Sequence, residues 1–170
     1  GEEAHTSMKV NKPVNVVVIG GGTAGLEAAC TAAEVGCTTF LFEAKPYLGG
    51  LAREIAKLPA KDRINDFPNY LINRAKKLRN LYIFTNTTAT MEAIENLKPD
   101  VVVNATGSTP LLPPITGLHD RVDKEDSKVL SIFGLINNIE KFNEMDLEGK
   151  KIGVIGGGAV GLDVVEYFAH

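Results

Sequence analysis

Gly20, Gly22 and Gly25 form the pattern G-x-G-x-x-G, and a carboxylate, Glu43, follows 23 positions after the first of them. Residues of these types at this spacing suit the grip of a dinucleotide. A diphosphate lies best against the amino end of a helix, where unpaired N–H groups and the helix dipole favour negative charge. Gly20 permits the tight turn into such a helix, Gly22 removes the side chain that would block the phosphates, and Gly25 lets the helix pack closely on the preceding strand. Thr23 and Ala24 lie between these glycines at the mouth of the helix, and Ala29 is small enough not to push helix and strand apart. Glu43 stands where a carboxylate accepts hydrogen bonds from the ribose 2′-OH and 3′-OH and repels a 2′-phosphate. A glycine-rich turn in some other α/β protein is the competing reading. The strand before, the helix after and the acid beyond all argue against it.

The same signature appears twice. Val-Ile-Gly-Gly-Gly-x-x-Gly-Leu runs from Val18 to Leu26 and again from Val154 to Leu162, so Gly156, Gly158 and Gly161 repeat the first spacing. Val165 replaces the small residue that Ala29 supplies in the first copy. Two readings of the second copy stay open: the start of an NAD(P)H site, or a βα segment that binds nothing. One βα segment cannot bury both faces of its strand. It is therefore expected to dock on the first domain, to pair with another copy of the chain as a homodimer, or to lack order.

The elements that must position these residues are legible from apolar periodicity. Val14 to Ile19 is a continuous apolar run broken only by Asn15, as in a strand buried on both faces. Ala24 to Val35 is Ala-rich and helical and closes at Gly36; Thr38 to Phe42 is a second β-branched and aromatic strand. Strand, turn, helix and strand make a βαβ unit, so the strands run parallel. Further along, Leu51 to Leu58 reads as a short helix, and Tyr70, Leu71, Ala75 and Leu78 share one face of a helix within Asn65 to Arg79. The basic back face of that helix reads as solvated. Leu81 to Phe84 is an expected strand, Met91 to Leu97 a short helix, and Asp100 to Val103 another buried strand. Val129 to Phe142 is expected to hold a strand and a helix, and Lys151 to Ile155 a strand before the second glycine turn. The organisation is a leader or linker over 1–13, a nucleotide-binding domain over 14–110, linking and returning elements over 111–150, and the start of a second nucleotide-binding domain over 151–170.

Several segments make the chain similar to the C-terminal half of a group of multidomain flavoenzymes: 2,4-dienoyl-CoA reductase, 2-enoate reductase, related NADH:flavin oxidoreductases and the trimethylamine dehydrogenase branch. They are Val17 to Ala29, Glu43-Ala44 to Gly49-Gly50-Leu51, Leu58-Pro59-Ala60-Lys61, Val101 to Pro110, and the second glycine motif. The resemblance implies an α/β fold: a Rossmann-like FAD-binding domain, a parallel sheet with flanking helices, followed by the first βα segment of a second nucleotide-binding domain. It implies FAD at the first motif and NAD(P)H at the incomplete second. An old-yellow-enzyme-like barrel carrying FMN and an iron–sulfur cluster would lie outside this chain, as the rest of the parent enzyme. By the same likeness, Ala105-Thr106-Gly107 passes beside the flavin cofactor, and Gly107 allows close backbone approach. Gly49, Gly50 and Leu51 bring amides toward the flavin side. Ala44 and Lys45 belong with Glu43 to the cofactor-binding set. Arg53 adds a charge-assisted contact to phosphate or ring oxygens, with a solvated surface arginine as the rival reading. Ala89 takes the position whose backbone meets adenine, an ordinary loop residue being the equal competitor.

Departures narrow the chemistry. The disulfide reductases of this superfamily carry a CxxxxC pair soon after the glycine doublet, and Leu51 to Leu58 contains no cysteine. Thiol–disulfide chemistry is thereby excluded for this segment. Cys30 and Cys37 make no CxxC pair and no metal-ligand spacing, and read as small buried apolar residues. His5, His119 and His170 form no pair or triad, and Asp120, Asp123, Glu125 and Asp126 read as a solvated acidic loop. No catalytic residue and no metal ligand is named.

Composition agrees with a soluble globular protein, 44% hydrophobic and 23% charged. A net charge of −3 with scattered Lys and Arg gives no footprint for nucleic acid or an anionic membrane surface. No apolar run is long enough to span a bilayer, and a cytoplasmic protein is the default expectation. Two further functions compete with an electron-transfer flavoenzyme fragment. One is a structural ADP-binding module without redox chemistry. The other is a short NAD-dependent dehydrogenase, which suffers from the lack of a Tyr-x-x-x-Lys or a His/Asp pair in a plausible place.

Overall fold

The structure, a computed structural model, describes residues 9–169. His5, His170 and the first eight residues of the expected leader lie outside the described residues. The chain divides into two compact units, one of residues up to 53 together with 63–108, the other of residues 54–62 and 109–170.

The first unit is built on four parallel strands in the order β3-β2-β1-β4, namely β1 (Asn15–Ile19), β2 (Thr38–Phe42), β3 (Leu81–Phe84) and β4 (Val101–Asn104). Val17 of the central β1 stands between Phe40 and Val102. Its neighbours Val16 and Val18 face the opposite side, where α1 (Thr23–Glu34) and α3 (Asp66–Ala75) pack. Leu26, Ala29, Cys30 and Ala33 of α1 and Leu71 and Ala75 of α3 fill that layer. The two helices are also clamped at the rim. Arg74 of α3 reaches both carboxylates, Nε to Glu34 Oε1 at 2.6 Å and Nη1 to Glu27 Oε2 at 2.8 Å. The expected basic back face is therefore not wholly solvated, because Arg74 is drawn across to α1. Tyr70 also departs from expectation: it is 58% exposed and stacks on Phe67, while Pro68 takes the buried position.

On the other face of the sheet, Val17, Phe42 and Ile94 form a smaller cluster under the short helix α4 (Met91–Asn96). The expectation of a buried last strand fails here. Val101 and Val102 are 48% and 46% exposed, since β4 is an edge strand paired only with β1. Between β2 and α3 lie α2 (Gly50–Ile55) and a 3-10 turn, Asp62–Asn65.

In the second unit Leu58, Ile136 and Ile139 make a small core with Ile132 and Tyr167. Its helices are α5 (Ile132–Asn137), α6 (Ile139–Asn143) and α7 (Ala159–Ala169). Ser131 caps α5 by accepting from the Gly134 N–H at 3.1 Å. The strand expected between Val129 and Phe142 is absent, because that apolar text is used by two short helices instead. Lys151 to Ile155 is likewise not a strand, and all of its residues are exposed. A strand needs a hydrogen-bonded neighbour, and no described residue supplies one there.

Candidate functional site

The site is the turn between β1 and α1. Gly20 has φ +106°, a left-handed conformation open to glycine, and a Cβ there would lie 2.3 Å from the Ala105 oxygen. The end of β1 is thus pressed against the Ala105-Thr106-Gly107 segment that leaves β4, and the Ala105 N–H donates to the Ile19 oxygen at 2.8 Å. Gly25 is held as tightly, for a Cβ on it would fall 1.8 Å from the Gly20 oxygen. Gly22 is different. Its φ is −73°, which any residue adopts, and an added Cβ would meet only the Gly50 Cα at 3.8 Å. Nothing in the protein's own packing demands glycine at 22. The room beside it is external.

Gly22 is also the N-cap of α1, and no side chain caps the helix. There is no acidic residue in the first turn, so the amides of Thr23 and Ala24 meet no intramolecular anion from that turn. The glycine doublet closes the opposite wall. Gly49 donates its N–H to the Gly21 oxygen at 2.9 Å, and Gly22 and Gly49 form an isolated parallel bridge. A Cβ on Gly50 would sit 2.7 Å from the Gly22 Cα. Leu51 is exposed at the start of α2, and Gly107 has φ +80° with nothing near the place its Cβ would take.

Glu43 follows β2 and folds its carboxylate over the turn. Oε2 accepts from the Gly21 N–H and Oε1 from the Lys45 N–H, each at 2.7 Å. Ala44 and Lys45 are exposed beside it. Ala89 is half-buried and packs against the Val17, Phe42 and Ile94 cluster, leaving its backbone role as the expectation stated above. Two residues escaped sequence reasoning. Gly21 has no role of its own in the G-x-G-x-x-G pattern, yet its N–H orients Glu43 and a Cβ on it would strike Leu48 at 2.6 Å. Tyr47 lies under two cations, Arg53 at 4.9 Å and Lys45 at 5.6 Å from its ring centroid. The signal available for it is one aromatic residue in the loop before α2, flanked by a lysine in that loop and an arginine in the helix.

The second motif reproduces the first turn locally. Gly156 has φ +112°, a Cβ on Gly161 would fall 1.9 Å from the Gly156 oxygen, and the Leu162 N–H donates to the Gly158 oxygen at 3.0 Å. The corresponding Leu26 to Gly22 bond is 2.9 Å. What differs is the setting: Gly156 and Gly158 have no neighbour within reach of a Cβ, and Val165 is 50% exposed where Ala29 is fully buried. The turn is encoded by its own residues, the walls are not.

Cys30 and Cys37 are free, buried thiols, and burial pushes the Cys30 thiol up from its ordinary value. Neither stands near the glycine doublet's helix in sequence, so the redox pair of disulfide reductases has no counterpart here. No group of described His, Cys, Asp or Glu residues has the geometry to hold a metal ion. His119 is exposed in a loop, as expected.

A parallel sheet, an uncapped helix opened by glycines and an acid at the next strand tip define a dinucleotide-binding Rossmann-like domain. The chain belongs to the pyridine nucleotide-disulphide oxidoreductase family, whose model matches residues 14–170. It is 35% identical over 155 residues to an NADH oxidase of Thermoanaerobacter brockii, covering 91% of this chain and 22% of that protein. It is 32% identical over 162 residues to a cinnamate reductase of Clostridium sporogenes, covering 95% and 22% respectively. Among solved structures, 2-naphthoyl-CoA reductase in complex with 2-naphthoyl-CoA superimposes with a TM-score of 0.73 at 29% identity, over 98% of this chain and 23% of that one. The resemblance to the enoate-reductase group is borne out by these relatives. The chain spans about a fifth of the length of the curated relatives it matches.

Proposed function

We propose that the Val14–Gly107 region binds FAD through its ADP end, and that the Gly156–Gly161 turn begins an NAD(P)H site in a second domain over 151–170. The observation that carries this reading is Gly22: a glycine that packing does not require, at the open end of a helix whose first amides lack a side-chain cap. The diphosphate rests on the Gly22, Thr23 and Ala24 amides, where the helix dipole is positive. Glu43, already oriented by two backbone N–H groups, accepts from the adenosine ribose and excludes a 2′-phosphate. Gly49, Gly50 and Leu51, with Ala105, Thr106 and Gly107, form the walls toward the flavin end, and Ala89 faces adenine. When bound, FAD supplies acceptance of a hydride from NAD(P)H and release of the electrons onward. This chain's residues orient and shield it.

In a longer enzyme of the resembled group, an iron–sulfur cluster and FMN on a barrel domain outside this chain would supply the onward redox chemistry, with an enoate or enoyl-type compound as the substrate. The names of the cinnamate and naphthoyl-CoA reductases support that substrate class. A cytoplasmic location fits the same reading, and among the described residues no helix is long and apolar enough to cross a membrane.

Calorimetric titration of the chain with FAD, ADP and NADH tests the proposal. Tighter binding of FAD than of ADP is the expected result. Equal affinity for both supports a structural ADP module instead, and no binding of any of the three overturns both.

A further inference from the structure

We infer that Tyr47 is a positioning residue for the diphosphate, its ring holding the guanidinium of Arg53, whose stem lies along Gly49 of the doublet that faces the first turn. This inference rests on the dinucleotide reading given above and adds to it the device that places a cation.

The side chain of Arg53, in the last turn of α2, does not stand free. A Cβ on Gly49 would meet the Arg53 Cβ at 3.2 Å and Cδ at 3.6 Å, so the arginine stem lies along Gly49. Gly49 is itself hydrogen-bonded to Gly21 of the first turn. The guanidinium then ends 4.9 Å from the Tyr47 ring centroid, within cation–π range, while remaining exposed. Lys45 reaches the same ring at 5.6 Å, and its backbone N–H is the donor that holds Glu43 Oε1. One half-buried aromatic ring therefore gathers two cations beside a turn whose helix end has no side-chain cap.

Two like charges on one ring repel each other, and a ring quadrupole only partly offsets that repulsion. A diphosphate carries the opposite charge in the matching amount. With Tyr47 present, Arg53 loses little freedom on binding, because its stem and head are already held; without it, a long flexible side chain must be ordered at that moment.

The test is a double-substitution cycle on the full chain, read as ADP affinity. Tyr47→Leu and Arg53→Met each weaken ADP by about three- to fivefold, the size of an exposed cation–π contact. Tyr47→Phe keeps the ring and holds affinity within about twofold. In the Arg53→Met background, Tyr47→Leu costs little more, since the nearer of the two cations on the ring is gone and only Lys45, at 5.6 Å, remains. The salt dependence of ADP binding becomes shallower in Arg53→Met and Tyr47→Leu alike. Unchanged affinity in a folded Tyr47→Leu variant, or fully additive losses, overturns the inference while leaving the dinucleotide site intact. Failure of the unsubstituted chain to bind ADP is a different result and removes the dinucleotide reading itself.

Discussion

The three glycines of the first motif do different physical work, and substitution separates them. A methyl on Gly25 would overlap the Gly20 oxygen, so Gly25→Ala is expected to destabilise the unit by about 3 kcal/mol, measured by urea unfolding. Gly22→Ala meets no obstacle inside the protein and should cost no more than about 1 kcal/mol, the usual scale for an N-cap change. Glu43 is legible from sequence as a ribose acceptor, but its orientation by the Gly21 and Lys45 amides is not, because backbone donors leave no mark in residue type. Glu43→Ala is expected to weaken ADP about tenfold in equilibrium titration, with the loss of charge-assisted bonds to the sugar. Tyr47 was hidden for a related reason: a single aromatic in a loop has no period to stand out against.

At the scale of elements, local pattern was sufficient wherever both partners of an element lie nearby in sequence. The β1–α1–β2 unit emerges where the apolar runs place it, Thr38–Phe42 without a residue of difference. Two of the failures concern strand burial and pairing decided by distant residues. Asp100 to Val103 reads as a core strand and is an edge; Lys151 to Ile155 reads as a strand and has no ladder to join among the described residues. Arg74 belonged to a face that looked merely basic, and its clamp on Glu27 and Glu34 depends on a helix some forty residues earlier. That clamp has a pH signature. The Arg74 hydrogen bond, foremost, holds the Glu34 carboxyl below its ordinary value of 4.5. The stabilisation is therefore present above that value and is lost as pH falls through the lowered one. Arg74→Met removes the guanidinium from two neighbouring carboxylates and is expected to cost about 1–2 kcal/mol at neutral pH, discounted for partial exposure. Unfolding measured from neutral to acid pH should show the difference between variant and parent shrinking below about pH 4.5, as Glu34 takes up its proton.

For the whole molecule, the two units differ in how much core they own. Val16, Val17 and Val18 sit in a central strand paired on both sides, whereas residues 151–160 are exposed throughout. Native-state amide exchange should accordingly be slowest at Val16–Val18 and approach the rate of unstructured chain at Gly153–Ile155. The second glycine turn keeps its shape without walls. Dinucleotide binding at the first turn requires the space beside Gly22 to be a nucleotide's space. Calorimetric titration of ADP into the parent chain and into Gly22→Ala measures this directly, with thermal unfolding as the check on the fold. Saturable binding by the parent is expected, with a loss of more than about tenfold in a variant that stays folded. ADP binding of equal strength in both proteins would contradict it.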